Sequence, residues 1–323
     1  MTPLHALIGP NDSGKSTILR AVETLAHWAA PRPLVESKPL QAAMAAARRP
    51  EFELSATVAG RVWTVRTGIN AEFVEYADPD LADVDFEPHE RSKIERVPIV
   101  QQALRAARMF RLEPDNLRAP GALIVEGVPI DLDERGVGLA AALDAIVSRQ
   151  VEEFTRLRAD LIGLFPTVKN LRLINVSSDR KALRVELTDG TQVDAAHMSE
   201  GLLYYLAFAI LPYLAPTSLL LIEEPENGLH PARIRDVMKV LRRVSEHTQV
   251  LLATHSPLVV NELEPDEASV VTRPSNDVGT QVTPLRDTHN FEERSAVYSL
   301  GELWVSYADG ETEAALLEGK PHA

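Results

Sequence analysis

The run Gly9-Pro10-Asn11-Asp12-Ser13-Gly14-Lys15-Ser16-Thr17 fits the spacing G-x-x-x-x-G-K-[ST]. Its glycines let backbone N–H groups turn inward around a polyphosphate, the Lys15 ammonium can reach β- and γ-phosphates, and the Ser16 hydroxyl can ligate Mg²⁺. The run lies between an apolar stretch, Leu4 to Ile8, and a helical one, Thr17 to Ala30. That strand–loop–helix setting is what a phosphate cradle requires. A chance glycine turn before a helix is the competing reading, and two segments far downstream weigh against it.

The first is Ser218-Leu219-Leu220-Leu221-Ile222, a continuous apolar run ending in Glu223-Glu224-Pro225-Glu226. Such a run suits a parallel strand buried on both faces. Carboxylates are costly in a core, so two at the carboxyl end of a central strand make sense where a cation and a water are handled. Glu223 is the candidate Mg²⁺-side carboxylate, directly or through water, and Glu224 the candidate base for an attacking water. A strand that simply ends in a charged turn is the alternative. The second segment, Gln249 to Thr254, is another apolar strand and delivers His255, a candidate sensor or stabiliser of a γ-phosphate. A third, weaker signal is His197-Met198-Ser199-Glu200-Gly201 before an apolar helix. Ser199 could be an ordinary N-cap, or Ser199 and Gly201 could grip a phosphate from another subunit at the positive helix end.

The elements that must carry these groups alternate in character. Phe52 to Val58, Val62 to Val65 and Glu72 to Tyr76 read as antiparallel strands, Ala77 to Glu90 as a loop, and Ser92 to Arg108 as a helix followed by an irregular passage to Gly138. Apolar residues from Leu139 to Phe165 recur on one face of a single long helix, too short for a coiled-coil arm. Leu171 to Ile174 and Ala182 to Leu187 read as strands. The tail from Asn290 to Gly310, with Phe291, Tyr298, Leu300, Trp304 and Tyr307, is either a cap packed on the body or a docking segment.

The chain has 323 residues, 45% of them hydrophobic, and no cysteine, which excludes disulfides, thiolate metal sites and a cysteine nucleophile. There is no long apolar run or secretory leader pattern, so a cytoplasmic protein without a membrane partner is expected. A net charge of −14 disfavours holding DNA through the overall field. Local basic clusters, Arg48-Arg49, Arg105 with Arg108 and Arg111, and Arg233 to Arg243, read as solvated helix faces or as patches for an anion.

Together these residues resemble the ABC-type ATPase heads of the SMC/RecF/OLD class, among them the small AAA-family ATP-binding proteins. Gly9 to Thr17 matches Walker A, Met198-Ser199-Glu200-Gly201 the signature, Leu219 to Glu224 Walker B, His255 the switch histidine, and Glu226-Asn227-Gly228-Leu229-His230-Pro231 the D-loop. The resemblance implies an α/β P-loop NTPase of ABC-ATPase type, with a mixed central sheet, an antiparallel β lobe and a helical subdomain. On that pattern residues 1–76 hold Walker A and the β lobe, 77–165 a helical insertion, 166–285 the signature, Walker B and switch histidine, and 286–323 a C-terminal cap or docking tail.

It further implies an ATPase using ATP and Mg²⁺, with Lys15, Glu224 and His255 catalytic, Gly9 to Thr17 with Ser199 and Gly201 on the nucleotide, and Ser16 and Glu223 on the metal. Two copies would close head to tail on ATP and drive a separately encoded effector, such as a nuclease, in DNA repair or anti-phage defence, with DNA itself a further partner. A slow nucleotide-dependent clamp is the alternative, and a transporter ATPase the least favoured one. Departures are Glu223 where aspartate is usual and an unplaced Q-loop. A further strand pair usual upstream of Gly9 is also missing, so either the lobe is trimmed or the start lies upstream. After Pro284 there is no acidic pattern for an appended nuclease.

Overall fold

The structure is a computed structural model that describes residues 1–28, 51–58, 61–68, 74–77, 102, 106–273 and 279–308. The chain divides into two compact units, residues 1–15, 109–216 and 220–323 in one, 16–108 and 217–219 in the other.

The first unit is organised by a sheet of six described strands in the order β13-β12-β1-β11-β10-β5. These are β1 (Leu4–Ile8), β5 (Ala107–Phe110), β10 (Leu219–Glu223), β11 (Gln249–Thr254), β12 (Ala268–Thr272) and β13 (Gln281–Pro284). β1 is buried at every position, as a strand covered on both faces must be, and it runs parallel to both neighbours. Ile8 is level with Thr254 on one side and Val270 on the other, so the loops after β1 and β11 leave the sheet at the same height. β13 runs antiparallel to β12.

A second sheet, β6 (Gly121–Ala122), β8 (Arg180–Leu187) and β7 (Val168–Asn175), with β9 (Gln192–Asp194) on β8, belongs to the same unit. Around the sheets run α2 (Pro114–Arg118), α3 (Leu139–Arg149), α4 (Val151–Leu164), α5 (Glu200–Ala209), α6 (Pro231–Val244), α7 (Pro257–Val260), α8 (Phe291–Ser295) and α9 (Leu300–Ala308). The core joins Leu4, Ile8, Leu143, Leu203, Leu206, Leu220, Ile222, Val250 and Leu252. In the second unit, α1 (Lys15–Trp28) follows the phosphate loop, and β2 (Glu51–Val58), β3 (Arg61–Gly68) and β4 (Val74–Ala77) form an antiparallel meander.

The mixed α/β fold expected from the sequence is present, with two local corrections. The helix expected from Leu139 to Phe165 is two helices, divided at Gln150, whose backbone leaves the helical region at φ −139° and ψ 59°. Leu139, Leu143 and Ile146 are buried on α3 and Leu157 and Leu161 on α4, whereas Val151, which a single helix is expected to bury, is 64% exposed. The expected helix ending at Arg108 meets a strand instead, because Met109 and Phe110 are buried in β5. The rest of that expected helix, the loop after Ala77 and Arg48-Arg49 lie outside the described residues apart from scattered positions.

Candidate active site

Three neighbouring strands, β1, β11 and β10, bring their carboxyl ends together. The Ile8–Thr254 register sets the first two, and the Glu224 N–H bonds the Ala253 carbonyl at 2.8 Å to set the third. In an open α/β sheet this edge is where ligands bind, since the strand ends release loops and helix N-termini there.

The loop from Gly9 to Lys15 curls through two left-handed residues, Asp12 at φ 65° and Gly14 at φ 108°. Such a turn aligns successive N–H groups into an anion-binding concavity. Gly14 has no room for a side chain, because a Cβ would overlap the Thr280 hydroxyl, which itself donates to the Ser13 carbonyl at 3.0 Å. At Gly9 a Cβ would stand 2.7 Å from Ser13 Oγ and overlap the Val271 carbonyl. The Lys15 ammonium donates to the Gly9 and Pro10 carbonyls at 2.7 and 2.9 Å, tying the loop across its own mouth. Burial lowers the Lys15 pKa, and Glu224, then Glu226, Asp12 and Glu223, pull it back up. Pro10 and Asn11 complete the loop, and Ser16 and Thr17 are the residues by which it enters α1.

Across from the loop stand the carboxylates. Glu224 has a left-handed backbone at φ 48°, a conformation that costs on the order of 1 kcal/mol for a non-glycine residue. Its Oε2 lies 2.7 Å from His255 Nδ1, and Glu226 Oε1 lies 3.9 Å from the same nitrogen. Neither Oε2 of Glu224 nor Oε2 of Glu226 has an aligned hydrogen-bond donor. The short Glu224–His255 approach is therefore an ion-pair distance without hydrogen-bond geometry. Glu226 is fixed from the other side by the Thr254 hydroxyl, which donates to Oε1 at 2.6 Å. Desolvation, reinforced by Glu224, raises the Glu226 carboxyl to about 7. Glu223 faces Arg111, whose Nε is 3.5 Å from Oε2.

These groups suit Mg²⁺ and a polyphosphate on their own chemistry. Buried Ser13 Oγ and Glu223 Oε2 have no hydrogen-bond partner, and the loop glycines occupy space that a Cβ would fill. Ser16 and Glu223 offer the hard oxygen donors that Mg²⁺ takes.

The structure brings together Lys15, Glu224 and His255. Ser199 and Gly201 have other neighbours. Ser199 occupies the N-cap position of α5, yet its side chain makes no capping bond. A Gly201 Cβ would lie 3.1 Å from the Gly228 carbonyl, so the signature and the Asn227-Gly228-Leu229 turn are packed backbone to backbone. Arg118 braces this corner, donating to the Met198 carbonyl at 3.5 Å and lying 3.8 Å from Glu200.

Two contributors carry no catalytic signal in the sequence. Glu226 is read there only as part of the D-loop, although a third carboxylate two residues beyond Glu224 was a usable signal. Trp304 stands in the tail, and its indole N–H donates to the His255 carbonyl at 3.0 Å while the residue is 3% exposed. The tail residues Phe291 and Trp304 are buried, which favours the cap reading for α8 and α9, although Tyr298 is exposed. Of the basic clusters, Arg233, Arg235, Lys239 and Arg242 on α6 pair with Asp236, Glu262, Asp236 and Glu267.

Residues 48–261 match the family described as "AAA domain, putative AbiEii toxin, Type IV TA system". The phosphate loop precedes that span and rests on its own residues and backbone. No curated protein matches the sequence. Among solved structures, an SMC head bound to the C-winged helix domain of ScpA superposes with a TM-score of 0.56 at 15% identity, over 88% of this chain and 91% of that one. An SMC head with an extended coiled coil from Pyrococcus furiosus, bound to the C-terminal domain of ScpA, gives 0.50 at 13% identity, over 92% and 93%. At such identities the likeness speaks for the fold. The chain belongs to this AAA ATPase family, and it is built on the fold of an SMC-type ATPase head.

Proposed function

We propose that the protein hydrolyses ATP to ADP and phosphate and that two copies close head to tail around the nucleotide. The observation that carries the reading is the meeting of Lys15, Glu224 and His255 at adjoining strand ends, opposite a left-handed amide loop. On this reading, residues Gly9 to Thr17 wrap the phosphates, and Lys15 exchanges the Gly9 and Pro10 carbonyls for phosphate oxygens. Glu224 orients the lytic water and accepts its proton as the water oxygen attacks the γ-phosphorus and the bond to the β-phosphate oxygen breaks. His255 stands beside Glu224 to donate to the γ-phosphate, so that release of phosphate is felt at the base. Ser16 and Glu223 would hold Mg²⁺, which would supply positive charge against the phosphates. Ser199 and Gly201 of the second copy close over the γ-phosphate from a helix N-terminus.

The effector is a separately encoded protein, such as a nuclease, acting in DNA repair or anti-phage defence. Support comes from the family description, which names a toxin–antitoxin system, and from the two SMC heads, each bound to a domain of ScpA. A second reading, a slow ATP-dependent clamp, is favoured by one observation: Glu223, already paired with Arg111, replaces the shorter aspartate usual at the metal. Steady-state turnover with and without duplex DNA separates the two. Strong stimulation by DNA supports the motor, tight ATP binding with negligible turnover supports the clamp, and failure to bind ATP at all refutes both. Among the described residues no helix is long and apolar enough to cross a membrane.

A further inference from the structure

We propose that Glu224, Glu226 and His255 form a binding site for one divalent cation of the zinc and cobalt class, separate from the Mg²⁺ that accompanies the nucleotide. One ligand atom from each residue lies within 4.8 Å of the others, with His255 Nδ1 at 2.7 Å from Glu224 and 3.9 Å from Glu226. Neighbouring ligands around an ion with bonds of about 2.1 Å stand roughly 3 to 4 Å apart, so small side-chain rotations suffice to close the shell. The donor set decides the class of ion. An imidazole with two carboxylates suits Zn²⁺, Co²⁺ or Mn²⁺, whereas Mg²⁺ takes oxygen ligands and keeps its waters.

A second observation is independent of the cluster's composition. The Glu226 side chain is only 10% exposed, and its Oε2 is buried with no hydrogen-bond partner. Its other oxygen is held by the Thr254 hydroxyl, whose oxygen in turn accepts the Ser256 N–H at 3.0 Å. The oxygen 3.9 Å from His255 is thus the anchored one, Oε1, and Thr254 stands as the outer residue that holds a ligand atom in place. His255 is half exposed, which leaves an open side for entry and for water as a fourth ligand.

Binding at this position is independent of nucleotide. Its consequence rests on the proposed function: an ion here engages Glu224 and His255 together, so micromolar Zn²⁺ inhibits hydrolysis and a chelator restores it. The test uses the full chain without affinity tag, nucleotide or Mg²⁺, titrated with Co²⁺ and followed by visible absorption, with Zn²⁺ displacement by calorimetry. One ion per chain is expected, with bands of nitrogen–oxygen ligation. His255→Ala and Glu226→Gln should each weaken it by about tenfold or more, and Thr254→Val by about tenfold, the usual effect of losing an outer partner. Lys15→Ala should bind Co²⁺ as the wild type does. Far-UV circular dichroism checks folding; Glu226→Gln is isosteric and His255 half exposed, so one variant answers if the other unfolds. The proposal is overturned by the absence of stoichiometric uptake, by uptake that survives both substitutions, or by loss of uptake in Lys15→Ala. A protein that binds Co²⁺ but never hydrolyses ATP would retain this site and lose only the functional reading.

Discussion

Lys15 is the residue on which the chemistry turns, and its surroundings explain why no other type would serve. Its ammonium is buried, bonded to two carbonyls of its own loop and close to several carboxylates. A cation held by neutral acceptors can be drawn to a polyphosphate without breaking an ion pair, which keeps the exchange inexpensive. Lys15→Ala is expected to lower ATP affinity by about two orders of magnitude, read by calorimetry, while far-UV circular dichroism stays that of the wild type. Unchanged affinity would remove the loop from the reading. Glycine, lysine and serine at fixed spacing made this loop legible in the sequence, because few other chemistries need that combination. Glu226 was less legible: its contact with Thr254 spans 28 positions and depends on strand pairing that no local pattern encodes.

Among the elements, α9 has the least obvious importance. Trp304 reaches from it to the His255 carbonyl, and the Gly301 N–H bonds Asn261 at 2.7 Å where a side chain would overlap the Pro257 carbonyl. The helix thus fixes the backbone that carries the histidine. Trp304→Phe keeps most of the packing and removes one N–H donor, at a cost of about 1 kcal/mol. We expect the variant to fold, to keep its KM for ATP and to lose kcat several-fold; an unchanged kcat would reduce α9 to a cover. The aromatic spacing of the tail showed that it could pack or dock, but not that it would end on the histidine's loop. The division of α3 from α4 was hidden for another reason: Leu139 and Leu157, like Leu143 and Leu161, stand a whole number of turns apart, so the apolar period runs across Gln150 and does not show the break.

At the edge of β1, His5 is buried between Thr2 and Ser269, with ring nitrogens 3.1 and 2.9 Å from their hydroxyls. Burial lowers its pKa, the N-terminal ammonium adds to this, and Glu267 opposes it. A base whose folded pKa is depressed contributes full stability above its ordinary value, near 6.5, and loses it as pH falls below that value toward the folded pKa. Urea midpoints should therefore drop between pH 7.5 and 5.5 in the wild type, and less so in His5→Gln. Equal slopes would exclude His5 as a source of acid sensitivity.

For the whole molecule, the central prediction concerns assembly. Glu224→Gln leaves the loop and the signature corner in place while removing the proposed base, so ATP should be bound and retained. Size-exclusion chromatography at micromolar protein is expected to show a dimer with ATP and a monomer without it. A monomer under both conditions would argue against head-to-tail closure. The acidic balance of the chain, together with the ion pairs along α6, leaves that helix little free positive charge for DNA. Any stimulation by DNA is therefore expected to act through another surface. The pairing of β1 with β11 carries a consequence for biosynthesis. The strand that launches the phosphate loop leaves the ribosome well before its neighbour, which is level with it from Leu4 and Val250 to Ile8 and Thr254 but lies far along the chain. A nascent chain without β11 can hold neither the histidine nor the acidic cluster against the loop, so the proposed nucleotide site is assembled only once that strand has been made.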